Sequence, residues 1–585
     1  MVVDLVLGMA GSGGDGVVSA GESLLAAVSS HGYHAMMTKS FGPQIRGGES
    51  SCRVRVGTVP VHNPGGALDA AVALNWEDFL KFGAELELAP TTVLIHEAKA
   101  GPPPEALVRR GAMPTEVVAV PITELTNQSA GTEKAKTSVV LGLLCGWFGV
   151  PEDGVRRGLE KKFAKKGEGL LETNERALKA GIEHALANPL RSTKRLAPPP
   201  THSPKLLCDG NDLCATAALF AGCKFFGGYP ITPSTEVMQT LAKEIWKYGG
   251  TVLQAEDEIA GIGAALGASF AGLKSMTATS GPGMALKTEI MGLASIAELP
   301  LVILDVQRGG PATGLPTKSE QADLFQAAFS AHGDVLRPVL APISVGDTFR
   351  VTVEAFNLAE HYQTPVIILS DQEVAQRKET VEPIDTSRFT IEERLAPSAS
   401  DLVDYRRFRH TESGVSPISH PGLAGGSYLG AGIEHNEKGD PTASGAEHAR
   451  MNEKRFKKLE PLQHRRDLFD VLGPSDAPFA LISWGSSAGV AREAFELARA
   501  KGLAVKLLIP RLLYPIAVPV YREFLASVEA GLVVELSHQG QLHKILRMQL
   551  DLPAGLRSFC HSGATPFRPD QVLAELEALA AVGVK

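Results

Sequence analysis

The sequence predicts a multidomain α/β protein, and three observations carry that reading. The chain has 585 residues, more than one hydrophobic core accommodates, so three or four domains of about 100 to 200 residues are expected. Its 60 glycines and 44% hydrophobic content go with short β-branched runs rather than long apolar ones. Those runs alternate with amphipathic helical stretches, the pattern of strands feeding helices in layered α/β domains.

In the opening segment, short apolar strands are expected at 2–8, 51–56 and 92–95, with a helix after Gly16. Near 191–204 the text becomes RSTKRLAPPPTHSP. Its prolines can continue neither a helix nor a central strand, so a linker is placed there. A second α/β pattern follows over 205–382, with strands expected at 251–254, 274–278, 301–306 and 366–370 and Ala/Gly-rich helices between them. Residues 383–465 lose apolar periodicity and read as a long excursion packed on a domain surface or at a subunit interface. The final section, 466–585, opens on a strand at 479–483, a turn through Gly485 to Gly489, a helix, and a strand at 504–509. That order implies a parallel βαβ unit and a third α/β domain.

Bulk chemistry excludes several classes. The formal net charge of −8 is mild over this length and the basic residues are dispersed, which argues against a nucleic-acid footprint. The first apolar run contains Asp4 and ends in a glycine loop, so it reads as a strand and not as the core of a signal peptide. The longest apolar stretch, 139–150, is too short and too glycine-interrupted to span a bilayer, and a cytoplasmic location is expected. Cys52, Cys145, Cys208, Cys214, Cys223 and Cys560 form no C-x-x-C pair. Neither a zinc site nor an iron–sulfur framework is therefore expected here, and small buried thiols are expected for most of the six.

The first motif, Gly11-Ser12-Gly13-Gly14-Asp15-Gly16, fits G-x-G-x-x-G between a strand and a helix. A dinucleotide site needs an acid at the end of the next strand to hold a ribose, and the strand near 34–38 has none. Gly14-Asp15-Gly16 also begins the GDG pattern of a Mg²⁺-diphosphate site, but no Asn occurs between Asp15 and Asn63 to complete it. The loop reads as a tight strand-to-helix turn whose N–H groups can face an anion or a partner domain.

Four further motifs lie in the second domain. In Gly227-Gly228-Tyr229-Pro230-Ile231-Thr232-Pro233-Ser234 two prolines fix an extended turn that sets the Thr232 hydroxyl before a helix capped near Ser234; an ordinary strand-to-helix connector is the alternative. Glu256, Asp257 and Glu258 open a helix otherwise built of Ala, Gly and Ile. Acids favour a helix N-terminus, yet so small-sided a helix implies that one carboxyl points into a tight interface, where it can share a proton with a cofactor nitrogen. Thr279-Ser280-Gly281-Pro282-Gly283 follows an expected strand, where α/β ligand sites gather; a plain Gly-Pro turn is the alternative. Arg308 stands at a strand end beside Gly309-Gly310-Pro311, placed to hold a carboxylate bidentately; a solvated surface arginine is the alternative.

Together with Phe41-Gly42-Pro43-Gln44-Ile45-Arg46-Gly47-Gly48-Glu49-Ser50-Ser51, these motifs resemble the 2-oxoacid:ferredoxin oxidoreductases. The opening segment is similar to the γ subunit of that family, with Asp15 where the family usually carries Gln. The YPITP stretch is similar to its α subunit, and the TSGPG stretch is similar to a turn of the pyrimidine-binding domain in many thiamine enzymes. The resemblance covers almost the whole chain and implies a γ-type domain over 1–190, a thiamine-diphosphate pyrimidine-binding domain over 205–382 and a transketolase C-terminal-like domain over 466–585. It implies that Glu258 hydrogen-bonds the aminopyrimidine ring, which activates the thiazolium carbon, while Glu256 and Asp257 stay in the solvated first turn. Thr232 then borders the thiazolium and the substrate, Tyr229, Pro230, Ile231, Ser280 and Gly281 line the cofactor, and Arg308, with Thr232 and Tyr229, faces the substrate carboxylate.

The same resemblance implies coenzyme A as co-substrate, ferredoxin as electron acceptor, and a β subunit supplying Mg²⁺, the diphosphate half-site and a [4Fe–4S] cluster in an (αβ)₂ assembly. No metal site is expected on this chain. Gly432-Ile433-Glu434-His435-Asn436-Glu437-Lys438-Gly439 resembles a segment of 2-oxoglutarate-type α subunits and, with the γ–α fusion, points to 2-oxoglutarate. Pyruvate, branched-chain and aryl oxoacids remain as alternative substrates, and a non-catalytic scaffold subunit as the alternative of another class.

Overall fold

The computed structural model describes residues 2–12, 14–41, 50–82, 85–108, 113–163, 168–192, 194–563 and 565–583. The chain forms two compact units, one of residues 1–208 with 377–384 and the other of 209–376 with 385–585.

The first unit is built on a mixed sheet of β1 (Asp4–Gly11), β2 (His34–Phe41), β3 (Ser50–Gly57), β4 (Ala70–Ala73), β5 (Val93–Glu97), β6 (Glu116–Val120), β7 (Leu206–Cys208) and the late strand β14 (Lys378–Val381). Their order is β6-β5-β4-β1-β3-β2-β14-β7. Alternation along β1 sends Leu5, Leu7 and Met9 to one core and Val6 and Ala10 to the other. The helices Val17–Ser29 and Lys136–Phe148 supply buried residues to the first of these cores. β2 does not lie beside β1 but pairs antiparallel with β3, so the glycine loop is not followed by the adjacent parallel strand that a dinucleotide fold requires. Residues read as linker run along this unit: Val2 bridges Leu196, and Lys205 pairs with Glu382 of the returning segment. The apolar stretch at 139–150 lies mostly in the helix Lys136–Phe148, and no helix among the described residues is long and apolar enough to cross a membrane.

The second unit contains two sheets. The larger comprises β8 (Phe225–Gly228), β9 (Thr251–Gln254), β10 (Ser275–Thr279), β11 (Leu301–Gln307), β12 (Val339–Leu340), β13 (Pro365–Asp371) and β18 (Leu512–Tyr514), in the order β18-β12-β13-β11-β10-β8-β9. All pairs are parallel except β12 with β18. β11 (LVILDVQ) and β13 (PVIILSD) are buried at every position, which is why they read as continuous apolar runs rather than alternating ones. Because the strands are parallel, the loops after β8, β9, β10 and β11 emerge on one edge, the edge where ligand sites of such sheets form.

The second sheet holds β15 (Phe469–Leu472), β16 (Phe479–Ser483), β17 (Val505–Pro510), β19 (Ala530–Glu535) and β20 (Gly555–Cys560), in the order β15-β17-β16-β19-β20. β16 and β17 are parallel, with Phe479 opposite Val505, and the helix Ser487–Ala500 connects them as the sequence predicts. The seam between the two sheets is polar: Asp371 accepts from the Ser486 N–H at 2.9 Å, and Gln321 Oε1 accepts from Ser487 Oγ at 2.7 Å.

The excursion carries one long helix, Gly445–Lys457, and otherwise short turns. It is anchored by the buried carboxylate of Glu298, which Lys454 reaches at 2.6 and 2.8 Å and Lys458 at 3.0 Å. Arg407 donates to the Glu298 carbonyl at 2.6 Å.

Candidate active site

The helix Glu258–Phe270 follows β9 and begins with Asp257 as its N-cap, whose carboxylate accepts from the Ala260 N–H at 2.7 Å. Glu256 and Asp257 are exposed while Glu258 is buried at 8% exposure. Small residues bring this helix onto β8: a Cβ at Gly227 would lie 2.4 Å from the Gly261 carbonyl oxygen, and one at Gly261 would lie 2.9 Å from the Gly228 Cα. The glycines of both elements thus set the depth at which Glu258 sits.

The loop after β10 opens the helix Gly281–Ile296. A Cβ at Gly283 would stand 2.2 Å from Thr279 Oγ1, 2.7 Å from Glu258 Cγ and 2.9 Å from Glu258 Oε1. The Glu258 side chain therefore lies directly on this glycine, and the TSGPG loop and the acidic helix meet in one place. One turn later Lys287, fully buried, donates from Nζ to the Glu258 carbonyl at 2.9 Å and to Thr277 Oγ1 at 3.2 Å. Burial holds its ammonium down at about 8, with the charges of Glu258 and Asp257 pulling it back up. The sequence reading missed Lys287. The available signal was a lone cation four residues after Gly283, on the same face of a small-sided helix.

Arg308 leaves the end of β11, is buried at 7% exposure and donates from Nη1 to the Thr232 carbonyl at 2.5 Å. Two of the three predicted substrate residues are thus in direct contact. Thr232 itself is exposed and joined to Pro233 by a cis peptide bond; Tyr229 is exposed, and Pro230 and Ile231 are half-buried. Ser234 stands at the N-cap position as expected, but its hydroxyl makes no capping bond to the helix and instead donates back to the Ile231 carbonyl at 3.1 Å. Ser280 is fully buried, and its hydroxyl has no partner among the described residues. Gly281 packs on Asp323, whose Oδ2 would lie 2.8 Å from a Cβ there. Asp323 and the fully buried Asp305 are further acids that the sequence reading did not single out.

Of the remaining motifs, the glycine loop of the first unit closes on itself. Gly16 has φ 75°, and the Asp15 carboxylate accepts the Ser12 N–H at 2.9 Å; Gly13 lies outside the described residues. The stretch from Gly42 to Glu49 also lies outside them. In the excursion, Glu434 is held by Arg455 at 2.6 Å and His448 at 2.5 Å, while His435 packs on Phe408 with ring centroids 3.8 Å apart. Among the described residues no group of three or more His, Cys, Asp or Glu is arranged to hold a metal ion.

Known proteins share this layout. A family model described as pyruvate flavodoxin/ferredoxin oxidoreductase, thiamine diP-bdg, matches residues 216–455, and one described as pyruvate ferredoxin/flavodoxin oxidoreductase matches 6–184. The 2-oxoglutarate synthase subunit KorA of Methanothermobacter marburgensis is 37% identical over 62% of this chain and 96% of its own. The 2-oxoglutarate oxidoreductase subunit KorA of Mycobacterium tuberculosis is 32% identical over 93% of this chain and 87% of its own. A solved structure of 2-oxoglutarate:ferredoxin oxidoreductase from Magnetococcus marinus, with 2-oxoglutarate, coenzyme A and succinyl-CoA bound, superposes with a TM-score of 0.93 at 36% identity, covering 99% of this chain and 100% of that one. On these matches, and on the motifs gathered at the ends of β8 to β11, the chain belongs to the α subunits of the 2-oxoacid:ferredoxin oxidoreductase family.

Proposed function

We propose that this chain is the α subunit of a 2-oxoglutarate:ferredoxin oxidoreductase. The reaction interconverts 2-oxoglutarate, coenzyme A and oxidised ferredoxin with succinyl-CoA, CO₂ and reduced ferredoxin. The observation that carries the reading is the buried Glu258 carboxylate lying on Gly283, at the edge of a parallel sheet where Arg308 and Thr232 also meet.

These residues fit thiamine diphosphate. A buried carboxylate beside an orphaned buried hydroxyl, Ser280 Oγ, and a loop too tight for a side chain at Gly283 form a cradle for a flat polar ring. When bound, thiamine supplies the carbanion chemistry of oxidative decarboxylation. In this reading Glu258 holds a proton at a ring nitrogen, Ser280, Gly281, Tyr229, Pro230 and Ile231 line the ring, and Thr232 faces the reacting centre. Arg308 orients the C1 carboxylate of the oxoacid; apart from its bond to the Thr232 carbonyl, its guanidinium makes no hydrogen bond among the described residues. Two parallel N–H···O bonds from a guanidinium suit a carboxylate.

The division of labour follows the sequence: a γ-type domain over 1–190, a pyrimidine-binding domain over 205–382 and a transketolase C-terminal-like domain over 466–585, with β7 and β14, at the two ends of the second span, built into the first sheet. A β subunit completes the site with Mg²⁺, the diphosphate contacts and a [4Fe–4S] cluster in an (αβ)₂ assembly. What supports this is the absence from this chain of a C-x-x-C pair and of the Asn that completes a GDG diphosphate motif. All six cysteines are unpaired thiols, in keeping with a cytoplasmic enzyme. The test is co-expression with a β subunit and measurement of coenzyme A-dependent viologen reduction with 2-oxoglutarate, pyruvate and 2-oxoisovalerate, for wild type and Glu258→Ala. Activity led by 2-oxoglutarate and abolished in the variant is expected. Activity led by another oxoacid overturns the substrate, and full activity in Glu258→Ala leaves the chain as a scaffold.

A further inference from the structure

Around the loop after β10, four side chains leave buried polar atoms without a hydrogen-bond partner among the described residues: Ser280 Oγ, both carboxylate oxygens of Asp305, Arg308 Nε and Asp323 Oδ2. An unsatisfied buried polar atom costs about 1–3 kcal/mol, and native proteins hold few of them. Several within one site call for a common cause.

Asp323 is fixed in place. Its carboxylate lies against Gly281, within 2.8 and 3.1 Å of where a Cβ would stand, and its backbone N–H donates to Gln307 Oε1 at 3.0 Å. It interacts electrostatically with Arg308 without a hydrogen bond to it. Arg308 in turn spends one N–H on the Thr232 carbonyl. The guanidinium and the carboxylate share no hydrogen bond, and each keeps a buried atom, Arg308 Nε and Asp323 Oδ2, with capacity for a third group.

The charged groups acting on Asp323 come from three directions: Arg308 at the end of β11, Asp305 within β11, and Glu320 earlier on its own loop. The loop 279–283 brings hydroxyls and glycines, and Gln307, Gln326 and Gln541 bring neutral amides. Burial pushes the Asp323 carboxyl up to about 6, with Arg308 pulling it down and Glu320 pushing it up. Burial first, and Asp323 second, raise Asp305 well above the usual carboxylate range, so of the two acids Asp305 keeps its proton to the higher pH.

We propose that Asp323 is a positioning residue: it is the counter-ion of Arg308 in the free enzyme and takes up a proton when the carboxylate of a 2-oxoacid docks on Arg308, so that substrate binding is coupled to protonation. This rests on Arg308 as the substrate anchor. An incoming anion favours the neutral form of a neighbouring acid. Above about pH 6, where free Asp323 is ionised, binding must therefore draw a proton from solvent, and affinity falls as pH rises.

The experiment measures KM for 2-oxoglutarate from pH 5.5 to 8.5 on the complex with the β subunit, for wild type, Asp323→Asn, Glu320→Gln and Arg308→Lys. Calorimetry of 2-oxoglutarate binding to the thiamine-free complex in phosphate and in Tris counts the protons taken up. Expected for wild type is a KM that climbs with pH, by at most about tenfold per unit, with net proton uptake on binding. Asp323→Asn should flatten the climb and abolish the uptake, whatever happens to kcat. Glu320→Gln removes a charge that raises Asp323, so the climb should begin at lower pH; it decides the matter if Asp323→Asn does not fold. Arg308→Lys should raise KM at least about tenfold by losing the planar fork. An unchanged KM in Arg308→Lys sinks the anchor and the inference with it. A raised KM there, with the slope intact in Asp323→Asn or unmoved in Glu320→Gln, sinks the inference alone.

Discussion

Lys287 Nζ donates to the backbone carbonyl of Glu258 at 2.9 Å, tying a buried ammonium to the first turn of the helix that presents the proposed catalytic acid. Burial holds that ammonium at about 8, below its ordinary value of 10.5. The folded state thus penalises the charged form: the cost is full below about pH 8 and is relieved as pH rises from there to 10.5, where the unfolded chain still holds the proton and the folded one does not. In urea denaturation, wild type should gain stability relative to Lys287→Met between pH 8 and 10, by on the order of 3 kcal/mol. The variant should also require more thiamine for half-saturation of the complex, because the Glu258 turn loses its anchor.

Gly283→Ala places a methyl 2.2 Å from Thr279 Oγ1 and 2.7 Å from Glu258 Cγ. Elsewhere in a helix this change stabilises by about 1 kcal/mol. Here the overlap wins, with a net loss of about 1–3 kcal/mol and displacement of the carboxylate. Thermal melting and thiamine-dependent activity should fall together.

Gly261→Val tests the seat of the same helix. The new Cβ lies 2.9 Å from the Gly228 Cα, against backbone that has no flexible end to move aside. Activity should drop at least about tenfold, the penalty of a misplaced catalytic group, while Gly263→Ala, whose Cβ meets nothing within 4 Å, should leave activity near wild type.

Glu298→Gln breaks the anchor of the excursion. Burial pushes the Glu298 carboxyl up, but Lys454, Lys458 and Arg407 overcome this and hold it well below the usual carboxylate range. Its contribution is present above the unfolded value near 4.5 and is lost as pH falls towards the folded one. One carboxylate serves two ammonium groups, so burial still leaves Lys454 down at about 8 and Lys458 lowered. Neutralising it strands those cations, and equilibrium unfolding at pH 7 should show a loss of about 3–5 kcal/mol. The gap between variant and wild type should narrow below about pH 4.

Much of the second unit was legible in order. β11 and β13 announce themselves as unbroken apolar runs because both of their faces are buried. The acidic opening of a helix made of Ala and Gly pointed to a carboxyl under close packing, and Glu258 alone of its three acids is buried. Arg308 and Thr232 were each placed by local chain grammar, a strand end and a proline-bracketed turn, and they touch.

Less could be read where the determinant is a partner far along the chain. β7 and β14 are three and four residues long and complete the first sheet by pairing with each other and with β2, across some 170 residues of another unit; so few residues carry no period. The side chains that neighbour Glu258 and Arg308 were equally silent: Lys287 sits inside an ordinary helical run, and Asp305 and Asp323 look like any strand and loop acids. Residue types and their spacing in the sequence determined which elements form and which loops leave the edge proposed to bind ligand, because strand burial, helix capping and glycine turns act over a few residues. Only the tertiary structure decided which charges share a low-dielectric space, since burial and the pairing of distant groups set whether an acid or an amine keeps its proton.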